Sequence, residues 1–145
     1  MSNNTILAGQ DGIRMERALY SASSPITPGM LTEYVTNTLT VRPHSGAAGV
    51  IYDCMVAIEE PENSGHGIDD AYAVAGEIVQ LDFSPPGSQR YMLLSTGENV
   101  AAGALLESNG DGSLQAGSTH PAFRALEAKN NAAGYSNVRI YVEVL

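Results

Sequence analysis

Residues 99–127 read NVAAGALLESNGDGSLQAGSTHPAFRALE, and this stretch holds the strongest local signal for the fold. Two short apolar runs flank an Asn-Gly-Asp-Gly sequence at positions 109–112. Asn-Gly and Asp-Gly accept the positive φ angles that tight hairpin turns require. The same residues offer the oxygen atoms of a calcium loop, but no glutamate follows at the spacing of an EF-hand's bidentate ligand. We therefore predict a β-hairpin turn here and not a calcium site.

Short strand-like segments continue on both sides of this turn. Residues 31–41, 50–58, 77–83 and 91–95 are rich in apolar, β-branched or aromatic side chains, which suit a pleated, half-buried surface. Residues 84–87 read Ser-Pro-Pro-Gly and cannot continue a strand. Short strands separated by glycine and proline at this density predict a mainly β fold, either a small β-barrel or a sandwich-like domain.

Two segments alternate clearly between apolar and polar positions. In residues 50–58 the alternation places Tyr52, Cys54 and Val56 on one apolar face, so Cys54 is predicted to be a buried core thiol. The end of the chain is predicted to be a strand with four apolar residues on one face: Val138, Ile140, Val142 and Val144.

The fold is expected to include one or two short helices. Residues 69–75 could form one helix, capped by Asp69 or Asp70. Residues 121–133 could form a longer helix with Pro121 in its first turn, and they are equally compatible with a strand.

Three glycines recur in one sequence context. Gly29, Gly76 and Gly103 each stand one or two positions before an apolar strand start. Glycine is the residue that tolerates positive φ and close backbone approach. We predict a tight corner between strands at each of the three.

The first part of the chain shows no long periodic pattern. We interpret residues 1–20 as an extended N-terminal arm outside the core, with at most one weak turn of helix. Residues 21–29 read SASSPITPG and are typical of a turn-rich hinge. The predicted organisation is therefore an arm over residues 1–24 and a single β-rich domain over residues 25–145. We expect neither a secretory signal nor a membrane span.

Charge excludes several classes of partner. The 145-residue chain has 16 acidic and 7 basic side chains, for a net charge of -9. Between Arg42 and Arg90 there is no lysine or arginine, while eight acidic residues fall in that interval. Such a field repels nucleic acid and anionic membranes, so neither is an expected partner. The acidic segment is interpreted as a solvated face, with a surface for a basic partner as the alternative.

No set of residues suggests catalysis. The three histidines lie far apart, and no other histidine or cysteine stands at ligand spacing from any of them. No nucleophile elbow or phosphate loop is present. The carboxylate pairs Glu59-Glu60 and Asp69-Asp70 could act as acid and base on a sugar, but the chain has no tryptophan to stack against one. We predict no catalytic residues, no metal and no cofactor, and therefore not an enzyme.

The order and spacing of several short motifs resemble those of the head-decoration, or cement, proteins of tailed bacteriophages. These motifs are ITPGML at residues 26–31, DAY at 70–72 followed by GEIV at 76–79, GALL at 103–106 followed by NGDG, and ALEA at 125–128 before the terminal strand. The resemblance covers most of residues 26–145, while the first 20 residues match only in being an arm.

The resemblance implies a structural virion protein, made in the host cytoplasm, that binds the major capsid protein on the outer capsid surface. It implies capsid stabilisation by a homotrimer at three-fold and quasi-three-fold positions. It also implies an N-terminal arm that becomes ordered on the capsid, for which the candidate contact residues are Ile13, Arg14, Met15, Arg17, Leu19 and Tyr20. Alternatives are a tail or fibre module of a phage, or a small β-barrel ligand-binding protein or enzyme that uses the acidic segment.

Overall fold

The computed structural model of the chain describes residues 6–8, 16–21, 24–35, 39–60, 67–74 and 76–145. These residues form β-strands and turns and no helix, so the predicted mainly β fold is confirmed. None of them belongs to a helix of the length and apolarity that a bilayer span requires. In chain order the strands are β1 Leu7–Ala8, β2 Glu16–Ser21, β3 Leu31–Tyr34, β4 Thr40–Pro43, β5 Met55–Ala57, β6 Ile78–Phe83, β7 Gln89–Leu94, β8 Asn99–Val100, β9 Leu105–Ser108, β10 Leu114–Ala116, β11 Phe123–Ala125, β12 Lys129–Asn130 and β13 Val138–Val144.

The first half of the chain forms a closed barrel in the order β2-β4-β3-β5-β6. The barrel closes because β2 pairs with β4 in parallel and with β6 in antiparallel orientation. The described residues form two hydrophobic cores, and the smaller one lies in this barrel. It contains Ile26, Val41, Met55, Ala57, Tyr72, Val79 and Leu81.

The second half forms a curled sheet built around β7 and β13. These two strands pair over six positions, from Val138 opposite Leu94 to Glu143 opposite Gln89. The sheet continues through β11, β9 and β10, and Leu114 of β10 then pairs with Leu94 of β7, so five strands form a ring. The larger core fills this half and includes Met92, Leu106, Leu114, Phe123, Ile140 and Val142.

Strand β5 is shared by the two cores. Met55 and Ala57 face the smaller core, while Val56 and Ile58 face the larger one. A strand buried on both faces needs apolar residues at every position, which explains the unbroken Met-Val-Ala-Ile sequence. The predicted strand over residues 50–58, with one apolar face, is therefore wrong for its first half.

Of two further strand predictions, one is wrong and one is confirmed. The single strand predicted over residues 31–41 is wrong: β3 and β4 pair in antiparallel orientation, with Tyr34 opposite Val41. The terminal strand is confirmed as β13, with Ile140 and Val142 buried and the intervening side chains partly exposed.

Both helix candidates are wrong. Residues 121–133 contain β11 and β12, and Phe123 and Ala125 are buried while Arg124 is exposed, which is a period of two and not of 3.6. In the other candidate, Tyr72 exchanges backbone hydrogen bonds with Ile26 and donates its hydroxyl to the Ile58 carbonyl at 2.8 Å. This anchoring of Tyr72 in the barrel holds the backbone extended.

The predicted corners and the central hairpin are confirmed. Gly29, Gly76 and Gly103 have φ angles of 95°, 83° and 87°, a region that other residues adopt only with strain. Strands β9 and β10 pair with Ser108 opposite Leu114, which closes the hairpin predicted from residues 109–112. Within that turn the Asp111 carboxylate accepts a hydrogen bond from the Ser113 backbone N–H at 2.9 Å.

Candidate interaction surface

The six predicted capsid contacts divide into two groups. Ile13, Arg14 and Met15 lie outside the described residues. Arg17, Leu19 and Tyr20 lie in β2, where Arg17 pairs with Leu81 and Leu19 with Val79 of β6.

The backbone of residues 16–21 is therefore part of the closed barrel. The side chains of this segment, Glu16 and Arg17 among them, show no apolar pattern that predicts a strand. The pairing is made by backbone groups, which do not depend on that pattern. The role of the six residues as capsid contacts stays a prediction.

A pocket of about 530 Å³ lies where the two halves of the protein meet. Phe83 at the end of β6 and Val144 at the end of β13 both line it, together with the loop before β5. Most of its other lining residues are apolar: Ile51, Tyr52, Cys54, Pro85, Pro86, Pro121, Ala122 and Leu145. Its size and lining are typical of sites that take a small ligand or the side chains of a partner.

A buried ion pair adjoins this pocket. Asp82 of β6 and Arg90 of β7 are both fully buried, and Arg90 Nη2 lies 2.7 Å from Asp82 Oδ2. Arg90 Nε donates to the same oxygen at 2.9 Å, and so does the hydroxyl of Ser84, a residue that lines the pocket. Asp82 Oδ1 has no hydrogen-bond partner in the part of the chain that the structure describes. The pair joins the barrel to the curled sheet.

Cys54 lines the pocket and is partly buried beside the larger core. Burial raises the pKa of its thiol to about 12, with the Asp82 charge adding to the rise and the Arg90 charge opposing it. At neutral pH the thiol is therefore protonated, which is the unreactive form. Cys54 packs against the core as predicted but is only partly buried, and the strand alternation that suggested its burial is absent.

A second pocket, of about 210 Å³, shares Tyr52 and Asp53 with the first. Its other lining residues are Thr32, Glu33, Tyr34, His44, Val50 and Met55. We call the two pockets and the loop of residues 50–53 between them the Tyr52 surface, because Tyr52 lines both pockets and is 91% exposed. The alternation in residues 50–58 does not predict this surface, because it places Tyr52 on an apolar face.

Polar contacts fix the walls of the second pocket. His44 Nδ1 lies 2.7 Å from Ser108 Oγ, and the Arg42 Nε donates to Glu33 at 2.8 Å. Burial raises the pKa of Glu33, but hydrogen bonds from Ser45 and Arg42 outweigh burial and leave that pKa below its ordinary value. Glu33 is therefore ionised at neutral pH and already paired.

The acidic segment is not one solvated face. Asp82 is buried against Arg90, Glu59 accepts a hydrogen bond from the Ile6 N–H at 3.0 Å, and Asp69 pairs with Arg139 at 3.0 Å. Asp82 and Glu59 are thus used within the fold, whereas Asp69 is the exposed partner of Arg139. Among the described residues no group of three or more histidine, cysteine, aspartate or glutamate side chains could hold a metal ion.

The chain matches no protein-family model and no curated protein sequence. Its fold is similar to a crystal structure of the N base of the head fibre gp8.5 in bacteriophage phi29, with a TM-score of 0.60. The likeness covers 92% of this chain and 95% of that chain, at 9% sequence identity. The two chains thus share a fold over nearly their whole lengths.

Proposed function

We propose that this chain is a structural protein of a phage head, which binds the outer surface of the capsid and stabilises the shell. The observation that carries the proposal is the likeness to the N base of the phi29 head fibre, which extends over 92% of the chain. At 9% identity that likeness concerns the fold, and the function is our inference from it. The motif order that resembles head-decoration proteins points to the same class of protein.

The chemistry of the described residues supports a structural role. The Cys54 thiol is protonated, and the carboxylates of Glu59, Asp69 and Asp70 are occupied by hydrogen bonds or ion pairs within the fold. Nucleophilic and acid–base catalysis need groups that are free and tuned to react. Side chains that are protonated or already paired within the fold suit a structural role better than a catalytic one.

The proposed partner is the major capsid protein, and the proposed assembly is a homotrimer at three-fold and quasi-three-fold positions. The β2 strand and the residues before it remain our candidates for part of the contact. Because the β2 backbone already pairs with β4 and β6, the proposed contact of β2 is made by its side chains. The residues before β2 are proposed to add to the edge of a sheet in the shell protein, a recognition mode that uses backbone hydrogen bonds.

A second candidate is the base of a phage fibre, because the similar structure comes from a head fibre. A fibre base and a decoration protein both sit on a virion, but only a fibre base carries a projecting shaft. The two differ in what a virion reconstruction would show above the protein.

The deciding experiment is a pair of cryo-electron-microscopy reconstructions of phage heads, made with and without this protein. We expect added density on the outer surface at the three-fold and quasi-three-fold positions, and heads that survive heating better when it is present. Density at the tail, or none on purified virions, would refute the head assignment. Size-exclusion chromatography with light scattering would test the trimer separately, and a stable monomer at capsid-binding concentrations would refute it.

A further inference from the structure

The two pockets of the Tyr52 surface share one exposed wall. Tyr52 and Asp53 line both pockets, and the Tyr52 side chain is 91% exposed. Tyrosine is among the residues that contribute most to protein interfaces, because a large rigid ring becomes covered at small cost in side-chain entropy. An exposed ring between two concave surfaces therefore offers more contact area than an isolated surface tyrosine.

The charged side chains that line the two pockets are both acidic. They are Glu33 and Asp53, and within the part of the chain that the structure describes no lysine or arginine lines either pocket. Glu33 is already paired with Arg42. Asp53 is exposed, and its carboxylate makes no hydrogen bond or ion pair with the described residues. One unpaired negative charge thus stands at the rim of an apolar pocket.

The geometry points to the Tyr52 surface as the docking site for an extended segment of the capsid shell protein that carries an apolar side chain next to a lysine or arginine. This inference rests on the proposed function for the identity of the partner. The apolar side chain enters the larger pocket among Pro85, Pro86 and Leu145, and the basic group meets Asp53.

The test is a set of binding isotherms on phage heads that lack this protein. The variants are Tyr52→Ala, Asp53→Asn and, as a matched control, Tyr135→Ala, which removes another fully exposed tyrosine that lines neither pocket. We expect Tyr52→Ala to weaken binding at least about tenfold. Asp53→Asn should weaken it about two- to fivefold, the range for an exposed ion pair. The control should bind like the wild type, and all three should unfold at the wild-type temperature because these side chains are exposed.

The outcomes separate the two proposals. If the wild type binds heads and Tyr52→Ala binds equally well, the docking inference is overturned and the proposed function stands. If the wild type does not bind heads at all, the proposed function fails.

A peptide titration then tests the docking chemistry on its own. The probe is a hexapeptide with blocked ends, composed of glycine, serine, leucine and lysine. Binding is followed by the NMR chemical shifts of the protein's backbone amides. The control peptide has glutamate in place of lysine. At millimolar concentration the lysine peptide should shift the amide signals of residues 50–53 and of Leu145, and the glutamate peptide should shift them less. Equal shifts, or shifts confined to other residues, would overturn the assignment.

Discussion

Asp82 and Arg90 give the sharpest test of the structure, because both side chains are fully buried at the junction of its two halves. Three hydrogen bonds converge on Asp82 Oδ2, two from Arg90 and one from Ser84. Asp82→Asn keeps the volume of the side chain but leaves the Arg90 charge buried beside a neutral amide. Removing one partner of a buried pair costs about 3–5 kcal/mol, which is a large part of a typical domain's stability of about 5–15 kcal/mol.

Replacing both partners should cost much less. The double variant Asp82→Leu with Arg90→Met removes two charges from an apolar interior, and such replacements are often neutral or stabilising by about 1–4 kcal/mol. The lack of a described hydrogen-bond partner for Asp82 Oδ1 strengthens this expectation, because the native carboxylate is incompletely compensated. We therefore expect the double variant to be more stable than Asp82→Asn.

The assay is urea unfolding monitored by far-ultraviolet circular dichroism. The dependence of the free energy of unfolding on urea concentration should be the same for all variants if unfolding is two-state. Arg124→Ala is the control, because Arg124 forms an exposed pair with Glu143 at 3.9 Å. This substitution should lower the free energy of unfolding by less than about 1 kcal/mol. If Asp82→Asn costs no more than Arg124→Ala, the pair is not buried as the structure shows, and the account of the junction fails.

Three further predictions test other parts of the fold. Ile140→Ala should lower the free energy of unfolding by about 2–5 kcal/mol, because Ile140 is fully buried in the larger core, and urea unfolding that shows less than about 1 kcal/mol would contradict that burial. With a pKa of about 12, Cys54 should react with a thiol reagent at pH 8 on the order of a thousandfold more slowly in the native than in the unfolded protein; equal rates measured by absorbance would show an accessible thiolate. Burial raises the pKa of Asp111, but hydrogen bonds from Ser113 and Asn109 outweigh it, so the folded pKa lies below the ordinary value. This stabilisation is present above the unfolded pKa and is lost as the pH falls through the folded one; Asp111→Asn should therefore flatten the acid limb of stability against pH, and an unchanged limb would exclude this contribution.

Local signals predicted the parts of this fold that local chemistry determines. The hairpin at residues 109–112 and the corner at Gly103 need positive φ angles, and the sequence has glycine where the backbone needs it. Strand β13 has one buried face, so its side chains alternate and the strand could be read directly from residues 138–144.

The wrong predictions concern segments whose conformation is determined by tertiary contacts. Strand β5 faces two cores, so its own side chains do not alternate between apolar and polar. The sequence pattern therefore wrongly extends this strand over the neighbouring loop that contains Tyr52. Phe123 and Ala125 lie in a helix-compatible run, and only their pairing with β13 and β9 makes them a strand. The Tyr52 surface could not be predicted at all, because the residues that line it come from segments as distant as Thr32 and Leu145.

The position of β2 changes how the capsid contact has to be tested. Residues 16–21 close the barrel through pairing with both β4 and β6, so a truncation that removes them also exposes the edges of two strands. Loss of capsid binding after such a truncation would follow from a damaged barrel as readily as from a lost contact. Single substitutions at Arg17 and Leu19 keep the backbone pairing, which uses no side chain, and therefore separate the two causes. Loss of binding with unchanged stability would then assign the contact to this strand.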